Sequence, residues 1–267
     1  AYSLINWAYN FESYYFVSLG IQSRTKMKKL TNNKRWDIAQ DYELKWWSKY
    51  SDNIEWYKEF SDEIITETSS FIEINKETVI LEIGSGAAGG ITYIKSNNKY
   101  AIDPLENFFS KNKLWTQFRD EEVNYFQGRG EELPFDDNFF DLIIIDNVLD
   151  HCENPIAVLN EINRSLKIEG LIFFRQNVYN KWGKLLRIIM EFFTIDKGHP
   201  FTFTKQYLID NINERNWDIK KSKENGFCRS WKNNIMNFTF KGIIQTIFFI
   251  TRNRTLFILS KSHNRAS

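Results

Sequence analysis

The residues most able to do chemistry cluster around one glycine-rich stretch, Thr78-Val-Ile-Leu-Glu-Ile-Gly-Ser-Gly-Ala-Ala-Gly-Gly90. An apolar run enters Gly84-Ser85-Gly86, and a helical segment is expected to follow. Glycines there let the backbone turn sharply and let a ligand touch main-chain atoms. Two carboxylates flank this loop in the expected fold: Glu82, two residues before the first glycine, and Asp103, at the end of the next apolar run. An acid–base step would draw on the 3 histidines of the chain. His263 sits in a polar tail and is set aside. His151 follows Asn147-Val148-Leu149-Asp150, and His199 lies in Gly198-His199-Pro200-Phe201.

The elements that must position these groups follow from hydrophobic periodicity. From Thr78 onward, short apolar runs alternate with helical stretches. Strands are expected at Thr78–Ile83, Lys99–Ile102, Val123–Phe126, Asp141–Ile145, Leu171–Phe174, Trp217–Lys221 and Thr255–Ser260. Helices are expected at Ile91–Ser96, Leu105–Phe118, Pro155–Leu166, Val178–Phe193 and Lys205–Arg215. Strands apolar on both faces, alternating with helices, imply a mostly parallel sheet covered by helices. The expected fold is therefore α/β: a doubly wound, seven-stranded, mostly parallel sheet. Its ligand site belongs at the carboxyl ends of the strands, at the switch point.

Before residue 77 the pattern is helical. Ala39, Tyr42, Trp46, Tyr50, Ile54, Tyr57, Phe60 and Ile64 recur at spacings of three or four, as one helix or as two broken at Ser51-Asp52-Asn53. Residues 1–76 thus read as a helical N-terminal extension, and 77–267 as the main domain, with cap insertions near 177–200 and 226–250.

The dinucleotide pattern G-x-G-x-x-G also fits Gly84 to Gly89, with Asp103 ending the next strand, so a nucleotide-cofactor oxidoreductase is one reading. Three features favour another: Glu82; the stretch from Gly130-Glu131-Glu132-Leu133-Pro134 to Phe140-Asp141-Leu142-Ile143-Ile144; and Asn147-Val148-Leu149-Asp150-His151 directly after that strand. In this order and spacing they resemble the class I S-adenosylmethionine-dependent methyltransferases, the small-molecule branch of the ubiquinone-biosynthesis type. The resemblance spans roughly Thr78 to Gln176, weakly includes the helix after Phe203, and hardly touches residues 1–70.

The resemblance implies a Rossmann-like methyltransferase fold with S-adenosyl-L-methionine as cofactor. It implies that Gly84, Ser85 and Gly86 lie beneath the cofactor, and that Glu82 holds the loop and approaches the methionine end. Asp103 would accept the ribose hydroxyls. Leu105 would cover one face of the adenine, with the Gly130 and Glu131 backbone at its edge. Asp146 and Asn147 would end the fourth strand beside the transferred methyl. Arg129 stands where the family often has an acid, and so departs from the pattern at the adenine contact. Catalytic candidates are His151, His199 and Asp146. Phe140 and Asp141 read as structural. No metal site is expected.

The expected reaction is methyl transfer to a small-molecule or sugar acceptor, at oxygen. A non-catalytic cofactor-binding protein of the same fold is a further alternative. Acceptor specificity is expected from the caps, which carry Trp46, Trp47, Trp56, Tyr179, Trp182, Phe192, Phe193, Trp231 and Phe238. Lys184–Phe193 and Lys241–Arg254 mix apolar and basic residues and suit either buried cap helices or weak contact with a membrane surface. Lys+Arg 35 against Asp+Glu 34 leaves a formal charge of +1, which argues against a nucleic-acid partner. The 2 cysteines cannot build a disulfide framework and fit a reducing, cytoplasmic setting. With no basic, apolar leader pattern at its start and no ~18-residue apolar run, a soluble protein is expected.

Overall fold

The computed structural model describes residues 32–50, 54–192, 198–226, 231–232, 236 and 252–262. Two helices lead, α1 (Asn32–Trp47) and α2 (Trp56–Thr68). Strands β1 (Val79–Ile83), β2 (Asn98–Asp103) and β3 (Val123–Gln127) follow, joined by a 3-10 turn at Gly90–Tyr93 and by the one-turn helices α3 (Glu106–Phe109) and α4 (Lys113–Thr116). Then come β4 (Phe140–Asp146), a 3-10 turn at Leu149–His151, α5 (Pro155–Ser165), β5 (Leu166–Val178) and α6 (Lys181–Phe192). The chain closes with α7 (Lys205–Glu214), β6 (Trp217–Asn225) and β7 (Asn253–Lys261).

The strands form one seven-stranded sheet in the order β3-β2-β1-β4-β5-β7-β6. Pairings from β3 to β5 are parallel, and β7 runs antiparallel between β5 and β6. After β3 the chain crosses back to place β4 on the other side of β1. That reversal puts the switch point at the β1 and β4 carboxyl ends.

Side-chain alternation builds two cores, one on each face of the sheet. Leu81, Ile83, Ile143, Ile145, Ile172 and Phe174 face α5 and α7, where Val158, Ile162, Leu208 and Ile212 are buried. Ile80, Leu142, Ile144 and Phe173 face the other way, onto α2 and the β1–β3 connections, through Tyr57, Phe60, Ile64, Ile91, Phe109 and Trp115. With both faces covered, the strands must be apolar throughout, which is why they read as continuous hydrophobic runs. Asp141 accepts the Val79 N–H at 2.8 Å and Phe140 is fully buried, so both are structural.

The expected helix over Leu105–Phe118 is instead the two single turns α3 and α4. The Asn112 side chain accepts the Leu114 N–H at 3.0 Å and starts α4 anew. A short polar side chain competes for backbone groups and favours caps over helix interiors. The fifth strand runs 13 residues rather than the expected four, because its register with β4 shifts between Leu166 and Leu171 instead of breaking at Gly170. The helix expected from Val178 starts at Lys181, since Val178 still pairs with Asn253. The proposed break at Ser51-Asp52-Asn53, the segment after Phe192 up to residue 197, residues 227–230, residues 241–251 and His263 lie outside the described residues. Among the described residues, no helix is long and apolar enough to cross a membrane.

Candidate active site

A cleft opens at the switch point, with about 1020 Å³ of empty space counting its mouth. Glu82, Gly84, Ser85, Gly86, Asp103, Leu105, Gly130, Glu131, Asp146, Asn147 and His151 all line it. The structure thus brings together every residue expected at the cofactor.

The floor is bare backbone. Gly84 and Gly86 adopt φ of 70° and 61°, a left-handed region costly for residues with a Cβ. A Cβ on Gly84 would stand 2.5 Å from Val148 Cγ2, and one on Gly86 2.7 Å from Tyr57 Oη. Glycine is needed here for both conformation and space.

Glu82 turns under the loop. It accepts the Ile91 N–H at 2.8 Å and the Gly90 N–H at 3.3 Å, holding the first turn after the glycines. Burial pushes its carboxyl up to about 8, although those two N–H groups pull the other way. A folded value above the unfolded one means that the native state holds a proton the unfolded chain has lost. The stabilising effect is complete below the unfolded value, near 4.5, and disappears as pH rises through about 8. We expect urea melts of the parent to lose stability between pH 5.5 and pH 8, and Glu82→Gln to flatten that loss. Parallel pH profiles for the two proteins would contradict this assignment.

Asp103 is 9% exposed at the end of β2. It accepts from the Gly86 N–H at 2.9 Å and the Leu105 N–H at 2.8 Å. Burial raises its carboxyl to about 6 against these two bonds. Each oxygen keeps acceptor capacity for a ligand hydroxyl. Nearby, the Ser85 hydroxyl is sealed from solvent without a hydrogen-bond partner. Such a group calls for a polar ligand atom or water. A diol-bearing, main-chain-hugging ligand such as an adenosyl cofactor fits this floor.

At the end of β4, Asp146 departs from the expected catalytic role. Arg175 donates to it twice, Nε at 2.8 Å and Nη2 at 2.6 Å, and reaches Glu63 through Nη1 at 2.5 Å. Burial raises the Asp146 carboxyl, but the guanidinium outweighs it and holds the group below the usual carboxylate range. A carboxylate so paired is a poor proton acceptor. Its task is to anchor Arg175, whose plane lies 4.5 Å from the Phe60 ring. Asn147 adopts φ 55°, and its side-chain oxygen accepts from the Asn177 backbone at 3.2 Å, which fixes the chain reversal after β4.

Arg129 carries only donors and accepts nothing here. It pairs with Glu153 and lies 4.2 Å over the Trp36 ring. The Glu131 side chain accepts the Glu153 and Asn154 N–H groups at 2.8 and 3.1 Å, so its carboxylate serves the start of α5. The His151 and His199 rings meet at a tilt of 54° with centroids 4.6 Å apart. His151 lines the cleft.

Sequence reasoning missed one wall. Trp36, Gln40, Glu43 and Trp47 of α1 line the cleft, with Tyr57 and Phe60 of α2. Tyr57 donates to the Ser85 carbonyl at 3.0 Å. The signal was present as a second stripe on α1 at spacings of four, three and four. It is half polar, so it did not stand out beside the apolar stripe.

Strand order, glycine floor and the acid ending β2 define a class I methyltransferase fold. Residues 81–174 match the family model described as a methyltransferase domain. A protein of Methanocaldococcus jannaschii is 32% identical over 137 residues, 49% of this chain and 57% of that protein. Sarcosine/dimethylglycine N-methyltransferase of Aphanothece halophytica is 28% identical over 102 residues, 36% of this chain and 37% of that enzyme. The chain therefore matches less than two thirds of the length of either relative. Geranyl diphosphate C-methyltransferase of Streptomyces coelicolor, solved with Mg²⁺, geranyl diphosphate and S-adenosyl-L-homocysteine, superposes with a TM-score of 0.60 at 11% identity over 85% of this chain and 98% of that one. Over residues 81–174 the chain is similar to the methyltransferase domain family, and its sheet has the class I methyltransferase fold.

Proposed function

We propose that this protein transfers a methyl group from S-adenosylmethionine to an oxygen of a small-molecule or sugar acceptor. The observation that carries the reading is the cleft itself: Gly84, Gly86, Asp103, the Gly130–Glu131 loop, Asn147 and His151 all line one space. When bound, the cofactor supplies an activated methyl on a sulfonium. The protein supplies position. Asp103 takes the ribose hydroxyls, Leu105 covers the adenine, and the glycine floor accepts close approach. The end of β4 sets where the methyl projects.

The acceptor lies between that end and α1. Trp36, Trp47, Trp56 and Tyr57 line the cleft and offer ring faces to a sugar or aromatic acceptor. His151 and His199 engage the acceptor oxygen and make its proton easier to lose. Of the other expected cap aromatics, Trp46 packs on Trp47, while Trp182 and Trp231 are exposed. The side chains of Phe192, Phe193 and Phe238 lie outside the described residues.

An amine acceptor is the second reading, favoured by the carboxylates of Glu43 and Asp150 beside His151. A tritiated-methyl screen over hydroxyl and amine panels separates the two. Calorimetry should show binding of S-adenosylmethionine and S-adenosylhomocysteine. Binding of NAD with neither of them would sink the reading in favour of an oxidoreductase. Cofactor binding without turnover of any acceptor would favour a non-catalytic protein. We expect Asp103→Ala to weaken S-adenosylhomocysteine binding by about 1–3 kcal/mol, the scale of hydrogen bonds to a buried charge, in a variant that stays folded. Unchanged affinity would mean that the ribose is held elsewhere.

A further inference from the structure

Four side chains from three segments converge at the acceptor end of the cleft: Glu43 of α1, Asp150 and His151 of the turn after β4, and His199 ahead of α7. The ligating atoms of Asp150, His151 and His199 all lie within 4.8 Å of one another. His151 Nε2 is 4.0 Å from Asp150 Oδ1, and its Nδ1 is 3.5 Å from Glu43 Oε1. That Nδ1 is sealed from solvent yet makes no hydrogen bond.

Asp150 is buried, and both it and Glu43 face His151 within 4.0 Å, a ring that is neutral unless protonated. A buried carboxylate needs a compensating charge as well as hydrogen bonds.

We propose that Asp150, His151 and His199 form a binding site for a divalent transition-metal ion. Two imidazoles and a carboxylate are a donor set suited to Zn²⁺, Co²⁺ or Mn²⁺, whereas Mg²⁺ and Ca²⁺ favour all-oxygen sites. Three protein ligands leave an open position, as in catalytic zinc sites. The supporting contacts are those a metal site uses. Gln176, fully buried, donates from Nε2 to Asp150 Oδ1 at 2.8 Å and fixes the carboxylate. Glu43 stands where it can take the Nδ1–H of His151, leaving Nε2 to face Asp150 and the ion. Closing the 4.0 Å separation to ligand spacing takes a shift of about an ångström, given metal–ligand bonds of roughly 2.0–2.2 Å. The open position faces the cleft, where an acceptor oxygen would coordinate. That last point rests on the methyltransferase reading; the ion site does not.

The test uses the full chain freed of metal by a chelator. Zn²⁺ is titrated calorimetrically, Co²⁺ by absorption, and S-adenosylhomocysteine in parallel, so that cofactor binding is scored separately. One ion per chain is expected, with Co²⁺ bands typical of nitrogen and oxygen donors. His199→Ala and Asp150→Asn should weaken Zn²⁺ binding by more than ~100-fold, and Glu43→Gln, which keeps all three ligands, by about 10–100-fold. Far-UV circular dichroism and urea midpoints matching the parent show that these variants are folded. Absence of Zn²⁺ binding to the parent, equal affinity in His199→Ala, or a thiolate charge-transfer band that places Co²⁺ on Cys152 or Cys228 would overturn the site.

Discussion

His151→Ala is expected to lower turnover by about 10²–10⁴-fold while S-adenosylhomocysteine binds as before. The imidazole lines the cleft from the turn that follows β4. Its contacts are the His199 ring, Asp150 and Glu43. None of these holds the cofactor floor, so a loss confined to turnover is the signature of a group acting on the acceptor. The measurement is kcat with the acceptor found by the methyl screen, beside calorimetric affinity for the cofactor product. A matching fall in cofactor affinity would mean that His151 shapes the floor instead. Full activity would mean that the site acts by proximity alone and would favour an amine acceptor.

Arg175→Met is expected to destabilise the fold by about 3 kcal/mol, read from urea denaturation at pH 7. Removing one partner of a buried ion pair strands the other, at a cost of about 3–5 kcal/mol. The lower end applies because the Asp146 side chain keeps 24% exposure and Glu63 42%. The methionine retains contact with Phe60 and Phe173, so lost packing adds little. The double variant Arg175→Met/Asp146→Asn should recover most of the loss, because it leaves no charge stranded on β4. Equal instability of single and double variants would point to packing as the cause.

The glycine turn and the acids beside it were legible in the sequence because they are local. Glycines at 84 and 86 sit where φ is positive and where a Cβ would strike Val148 or Tyr57. Asp103 and Asp146 each close a strand, so chain position alone places them at the carboxyl edge of a parallel sheet. Strand alternation also gave the two-sided core. Helix length was less legible: Asn112 restarts α4 through one side-chain hydrogen bond, which hydrophobic periodicity does not register.

Tertiary structure decided everything that depends on residues distant in sequence. Arg175 lies 29 residues beyond Asp146 and 112 beyond Glu63, yet it bridges both. That bridge makes Asp146, a catalytic candidate from the sequence, the anchor of Arg175. Glu43 and His151 meet only because α1 crosses the mouth of the cleft, and His199 joins them from beyond α6. What the sequence determined by itself was the sheet, its glycine turn and the acids at its edge, because strand period and backbone sterics act over a few residues. What only the fold decided was the protonation of those acids and the wall that α1 adds to the cleft, because burial and charge pairing are properties of the space between segments.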